Sequence, residues 1–407
     1  MNGNMSVPSA LSQAGVGRPL AGRQERGARF DADGLVATAR RLTGLSDLGG
    51  DEFLEPMGRF LAALDAEGGL SLIGRSAMRR LTLRVLEQRL RIAAALRESP
   101  GILDVPVEAP VFILGLPRTG TTLLHNLLAQ DPAARVPLLW ELLRPAPPPE
   151  PLTRETDPRI AVARGELAMV HEFVPDLLRI HPQDPTAPDE CFHLLAITFQ
   201  NFIADISASC PSYLRWLLTS DMVPAYRYYR TTLQVLTWKV RGRYLVLKAP
   251  SHLFALDALL AVFPDARVVQ THRDPRQVAA SCCSLFETAR SLYTEGADLA
   301  RLGETWLENW SAAMDRAMAV RERAGAACFH DVAFEELAAD PMAVVRGIHA
   351  RFGIETDQET DARMAAWLAM NPRDKHGVHT YSLSRYALDP DRVAERFSGY
   401  LARFCAA

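Results

Sequence analysis

Gly115-Leu-Pro-Arg-Thr-Gly-Thr-Thr122 is the stretch on which the reading of this chain turns. Its spacing, G-x-x-x-x-G-x-[ST], is that of the phosphate loop of nucleotide-binding α/β proteins. Val111–Leu114 before it is a short apolar run of buried-strand type, and a helical pattern runs after it from about Gly120 to Gln130. Gly115 and Gly120 allow positive φ, which lets the amides of residues 118–122 turn inward around an anion. The helix start adds about half a positive charge at that point. Thr121 stands where nucleoside-triphosphate hydrolases carry the Lys that reaches the β- and γ-phosphates. Without that Lys a triphosphate lacks its main cationic contact, so a nucleotide with one phosphate in the cradle fits better. Arg118, inside the loop, supplies a cation on the far side of that phosphate.

Outward from the loop, Tyr244–Leu247, Arg267–Thr271 and Ala326–His330 read as further buried strands. Helical patterns cover about 158–173, 189–206, 222–239, 252–262, 275–291 and 298–323. Strands alternating with helices predict a P-loop-type three-layer α/β fold with a mostly parallel sheet covered on both faces. Residues 31–98 show helical spacing only, as at Phe53, Met57, Phe60, Leu61 and Leu64, and predict about three helices. The expected division is a disordered tail over 1–28, a helical extension over 29–104 and the α/β domain over 105–407.

Composition narrows the function classes. With 45 Lys+Arg against 48 Asp+Glu, the net charge is −3, which is no footprint for a nucleic-acid partner. The longest uncharged apolar-rich stretch, Cys191–Ala204, has 14 residues, short of the about 20 that span a bilayer as a helix. A peripheral membrane contact stays open, and nothing in the sequence sets an oligomeric state. The N-terminus lacks the pattern of a secretory signal. Six cysteines without CxxC spacing suit reduced thiols and a cytoplasmic location, with no metal site. Of the basic residues only Lys239, Lys248 and Lys375 are Lys, which draws attention to any Lys near a site.

A second anion site is legible in Thr271-His272-Arg273-Asp274-Pro275. Arg273 stands at the carboxyl end of a parallel strand, where ligands of open α/β sheets bind. Asp274-Pro275 starts the next helix and Ser281 lies two turns into it, so Arg273 and Ser281 can grip one additional phosphate.

The two motifs together resemble the sulfotransferase family that uses 3′-phosphoadenosine-5′-phosphosulfate (PAPS), and most closely its bacterial branch. Further similarity lies in Leu139-Trp140-Glu141, Lys248-Ala-Pro-Ser-His-Leu253, Phe263-Pro-Asp-Ala266, Phe334-Glu-Glu-Leu337 with Asp340-Pro341, and His379-Thr-Tyr-Ser382. The resemblance implies that Pro117, Arg118, Thr119, Gly120, Thr121 and Thr122 hold the 5′-phosphosulfate and that Arg273 and Ser281 hold the 3′-phosphate. PAPS is then a co-substrate, and no metal is required. The cytosolic branch carries Lys where this chain has Arg118.

Sulfuryl transfer has a loose transition state, so positioning and charge do most of the work. The leaving phosphate gains charge and needs donors aimed at it. Loop amides, Arg118 and Lys248 are the candidates. The acceptor hydroxyl needs a base. His252 is the first candidate, near a helix start with Ser251 as its expected cap; the cytosolic branch has its catalytic His two residues after the comparable Lys, whereas here the gap is four. Glu190 is the second, with His181 and His193 behind it. His379 and Tyr381 are minor cofactor candidates. The segment 158–240, rich in Phe, Tyr and Leu, suits the pocket of a small-molecule, sugar or lipid acceptor. Two rivals stand beside this reading. A P-loop kinase or nucleotide hydrolase predicts Lys at position 121 and a strand-end Asp for Mg²⁺. A non-catalytic nucleotide-binding protein keeps the cradle without turnover.

Overall fold

Strand β1 (Val111–Gly115) is apolar at every position and every residue is buried, which is the signature of a central parallel strand. A computed structural model of the chain describes residues 29–202, 206–372 and 381–405. The tail expected over 1–28, and Lys375 and His379, lie outside the described residues. One five-stranded sheet has the order β2-β3-β1-β4-β5, with β2 Ala134–Arg135, β3 Tyr244–Lys248, β4 Arg267–His272 and β5 Phe329–Ala333. All pairs are parallel. Ile113 pairs with Lys248 and Gly115 with Thr271, so the carboxyl ends of β1, β3 and β4 meet along one edge.

The period-2 alternation of the strands divides the interior into two cores. Phe112, Leu114, Leu245, Leu247 and Val268 join the larger one. Val111, Ile113, Val246 and Val269 join the smaller, with Leu124, Val345, Ile348 and Met364 from the helices over that face. This is the three-layer α/β arrangement.

Three helices, α1 (Ala32–Thr43), α2 (Leu54–Ala66) and α3 (Leu72–Glu98), precede the sheet. Their apolar faces enter the larger core, where Phe53, Phe60, Leu86 and Leu90 share a cluster with Phe199, Tyr213 and Tyr229. Arg89 on α3 stitches the join. It is 2 % exposed. It donates from Nε to the Leu48 carbonyl (3.1 Å), from Nη2 to Gly49 (3.3 Å) and from Nη1 to Ile197 (3.3 Å). Its guanidinium is stacked between the rings of Phe53 and Tyr228, at 4.0 and 4.4 Å.

Several boundaries differ from the sequence expectation. The helix expected over 189–206 is not continuous: it starts as Phe192–Ala196 and does not run through Phe199, whose φ of +57° no right-handed helix accommodates. The helix expected from 252 opens as a 3₁₀ turn, Pro250–Ala255, before Leu256–Val262. The last strand starts at Phe329, since Ala326–Cys328 form a 3₁₀ turn. Two-residue β2 and the helices Pro341–Phe352 and Gln358–Met370 were not anticipated.

Buried Glu141 organises the entrance to the site. It accepts both Nη groups of Arg135 (2.9 and 3.0 Å), Nε of Arg154 (2.9 Å) and the Leu138 amide (2.8 Å). This fixes the short helix Leu139–Leu143, whose first amides donate to the carbonyls of Ala187 and Pro185, both at 3.0 Å.

Arg89→Ala removes three charge-assisted bonds and leaves buried carbonyls unmatched. We expect a loss of about 3 kcal/mol or more in denaturant unfolding, and little recovery in Arg89→Lys, whose ammonium cannot reproduce the planar fork.

Candidate active site

The loop Gly115–Thr122 joins β1 to α4 (Thr121–Leu128). Three of its residues take positive φ: Gly115 at +151°, Arg118 at +71° and Gly120 at +90°. Both glycines are also demanded by space. A Cβ at Gly115 would run into Thr271, and one at Gly120 would lie 2.7 Å from Leu337 Cδ2. Thr119 Oγ1 donates to the Leu116 carbonyl (2.6 Å) and meets Thr271 Oγ1 at 2.6 Å, which pins the loop to the end of β4. Gly120 caps α4, so the amides of its first turn have no partner within the helix and stay available for an anion. The cradle fits a phosphate group.

Arg118 and the second site are in contact. Arg118 Nε donates to Ser281 Oγ at 3.1 Å and its Nη1 to the Ile180 carbonyl at 3.2 Å. Arg273 Nη1 donates to the Arg118 carbonyl at 3.3 Å, and its guanidinium lies 3.9 Å above the Phe334 ring. Asp274 caps the helix Pro275–Arg290 by accepting the Arg276 amide, as the Asp-Pro sequence predicts. Arg118, Arg273 and Ser281 are therefore neighbours, and the two expected phosphate sites adjoin. Thr121 is buried and Thr122 exposed at the helix start.

Lys248 ends β3 and is 2 % exposed; its Nζ lies 2.8 Å from Glu190 Oε1. The Cys191 amide donates to the Lys248 carbonyl (2.9 Å), which holds the Glu190 segment against the strand end. Next to it, Asp189 accepts from Gln183 Nε2 at 2.8 Å. Burial opposes charge on Asp189, but His181, Lys248 and His193 hold its carboxyl below the usual range.

His252 is fully buried. Its Nδ1 meets Tyr226 OH at 2.7 Å and its Nε2 meets Cys191 Sγ at 3.2 Å. Burial pushes the imidazole down to about 3 and the Cys191 thiol up to about 12. Both partners are neutral at ordinary pH. The expected Ser251 cap does not form: Ala249 precedes the 3₁₀ turn, and Ser251 Oγ is buried without a hydrogen-bond partner.

A cavity of about 310 Å³ opens beside the loop. Pro117, Glu190 and Ser251 stand in its wall, and Phe192, Phe254, Phe286 and Trp310 make much of the rest apolar. His181 and His193 also line it; burial pushes His193 down to about 4. Lys248 and His252 are not among the lining residues. Tyr381, Arg385 and Tyr386 line a second surface hollow with Ile180 and Glu287, whose Oε2 accepts Tyr386 OH at 2.7 Å. Sequence reasoning missed Thr271 as the loop's anchor, although it sits in the quoted Thr271–Pro275 motif. It also missed Arg84, Tyr293 and Trp310 as cavity wall, and no local signal marks them.

Among the described residues no group of three His, Cys, Asp or Glu side chains is placed to hold a metal ion, and no helix is long and apolar enough to cross a membrane.

A phosphate-type loop at a sheet edge, the cations Arg118 and Arg273 beside it, and buried Lys248 ion-paired to Glu190 in the wall of an apolar cavity are the parts of a group-transfer enzyme. The family profile described as the sulfotransferase family matches residues 110–358, more than half of the chain, and the chain belongs to that family. It is 34 % identical to sulfotransferase STF1 from Mycobacterium tuberculosis H37Rv, with 92 % of this chain and 100 % of that one covered and a TM-score of 0.83. Sulfotransferase STF9 from Mycobacterium avium is 33 % identical over 93 % of this chain and 99 % of its own, with a TM-score of 0.86. The omega-hydroxy-beta-dihydromenaquinone-9 sulfotransferase Stf3 of Mycobacterium tuberculosis is 26 % identical over 314 residues, 73 % of this chain and 76 % of that protein.

Two buried imidazoles set a pH dependence of stability. His252 and His125 are 0 % and 1 % exposed. Burial, and for His125 also the Lys248 charge, pushes each from 6.5 to about 3. The unfolded chain therefore binds more protons between those values. Their contribution is complete above about 6.5 and is lost as pH falls toward 3. Between pH 7 and 5 we expect about 4 kcal/mol less stability from the two, about 2 from each. Chemical unfolding at each pH reads this, and His125→Leu is expected to halve the slope from this pair.

Proposed function

We propose that the chain moves the sulfuryl group of PAPS to the hydroxyl of an apolar small-molecule or lipid alcohol. The observation that carries this reading is the junction of an anion cradle and an apolar cavity at the Lys248–Glu190 pair. In the proposed complex the loop amides and Arg118 hold the 5′-phosphosulfate, and Arg273 and Ser281 hold the 3′-phosphate. The acceptor oxygen forms a bond to sulfur. The bond from sulfur to the 5′-phosphate oxygen breaks, and its electron pair stays on that phosphate. The acceptor proton goes to Glu190.

Glu190 is favoured as the base over His252, because its side chain is 18 % exposed and reaches the cavity wall, whereas His252 is sealed behind it. In the free enzyme one Glu190 carboxylate oxygen is engaged by the Lys248 ammonium. A phosphosulfate in the cradle competes for the Lys248 ammonium, which then meets charge developing on the leaving oxygen and leaves Glu190 free to take the proton. His252, wedged between Tyr226 and Cys191, acts as a spacer that fixes Lys248 and Cys191. Apolar walls support an amphipathic acceptor over a free sugar, and the acceptor for which the Stf3 relative is named, a menaquinone derivative, agrees in class. The departure from a triphosphate enzyme rests on Thr121.

Transfer of labelled sulfate from PAPS to a panel of alcohols tests the reading. Apolar alcohols are expected to be labelled and free sugars not. Glu190→Gln should lower kcat about 100-fold or more, and Lys248→Met by a similar factor, with folded protein confirmed by its melting curve. A Glu190→Gln enzyme within threefold of wild type would remove Glu190 as the base.

A further inference from the structure

A second space adjoins the apolar cavity at its inner wall. A trough of about 450 Å³ lies on the far side and shares Arg84, Glu166, Val170, Leu292 and Tyr293 with it. The trough runs between α3, through Leu72, Ile73, Ala77 and Leu81, and the helix Pro158–Phe173, through Met169 and Phe173. From Arg84 to Leu72 α3 rises about 18 Å at 1.5 Å per residue. Its outer lips are apolar on both sides and open to solvent: Leu72 is 59 % exposed, Ile73 50 %, Met169 41 % and Phe173 53 %. Where the two spaces meet, Glu166 accepts from Arg84 (3.2 Å) and from both Nη groups of Arg144 (3.0 and 2.6 Å). These charges are satisfied by one another at the edge of the passage, so a passing chain need not solvate them.

The geometry points to a single two-part channel for a long-chain amphiphilic alcohol. Its hydroxyl sits at Glu190 and Ser251, its proximal chain fills the inner cavity, and its distal chain passes Arg84 and Glu166 and emerges between Ile73 and Met169. This inference rests on the sulfuryl-transfer reading above and adds to it the length of the acceptor and its route out. Two observations carry it: the two spaces adjoin, sharing five wall residues, and four large apolar side chains, Leu72, Ile73, Met169 and Phe173, stand exposed together at the outer mouth, where a short soluble alcohol would not reach them. Leu292 and Tyr293 bound both halves, so the α3 side of the channel is closed by the segment that follows the helix Pro275–Arg290.

A homologous series of butanol, octanol and dodecanol, offered with PAPS, tests it. Each methylene newly buried should raise kcat/KM about fourfold, continuing past the length that fills the inner cavity. Ala77→Trp, which plugs the trough only, should cost dodecanol at least tenfold and leave butanol as in wild type. Ile73→Asp, at an exposed lip, should weaken dodecanol in the same direction without a folding risk. Equal kcat/KM for octanol and dodecanol, or an Ala77→Trp effect equal for all three alcohols, overturns the channel. Failure of every alcohol to accept sulfate would instead count against the sulfuryl-transfer reading. Calorimetric binding of dodecanol to wild type and Ala77→Trp then decides the channel independently of turnover: equal affinities overturn it, and weaker binding to the variant supports it.

Discussion

An ammonium group cannot be buried alone. Lys248 is 2 % exposed at the end of β3, and the desolvation of such a charge costs several kcal/mol unless an anion compensates it. Glu190 is that anion, and much of the architecture serves to bring it there. The Arg135–Glu141 pair locks the helix Leu139–Leu143, its amides take hold of the carbonyls at 185 and 187, and the Cys191 amide ties the segment to Lys248. A second buried charge, Glu141, thus positions the first pair through backbone alone. Removing either partner of a buried pair costs about 3–5 kcal/mol, so the same contact that shapes the chemistry also holds the segment in place.

The nucleotide side depends on β1 being central. Its neighbours are β3 and β4, so the loop after β1 is flanked by Lys248 on one side and by Thr271 and Arg273 on the other. Register converts three separate stretches of sequence into one site. Gly115 is tight against Thr271, and Thr119 is bonded to it, so the cradle is preformed rather than assembled on binding. Arg118, bonded to Ser281, spans the two cationic positions and replaces with a fork what a Lys would offer as a point charge.

Local chemistry was legible in the sequence. The loop, the Asp274 cap, the strands β1, β3 and β4 and the long helices each follow from residues close together, where turn residues and periodicity act directly. The expected members of the site gather around one sheet edge; His379 falls outside the described residues, and Tyr381 lines a neighbouring surface hollow that includes Ile180. What the sequence could not reveal is long-range. Phe199 breaks a helical pattern through tertiary packing against Phe53 and Phe60. Whether His252 or Glu190 faces the cavity depends on Tyr226, 26 residues upstream of His252, and on Cys191. The N-terminal helices carry no chemical motif, yet α3 supplies Arg84 to the cavity wall, because their apolar faces complete the larger core.

The most direct test of the account is a calorimetric titration with adenosine 3′,5′-bisphosphate, compared with adenosine 5′-monophosphate and with ATP–Mg²⁺. Two adjoining phosphate sites predict that the bisphosphate binds about 10- to 100-fold more tightly than the monophosphate, the worth of the charge-assisted bonds from Arg273 and Ser281, and more tightly than ATP–Mg²⁺. Equal affinity for bisphosphate and monophosphate, or a preference for ATP–Mg²⁺, would contradict it.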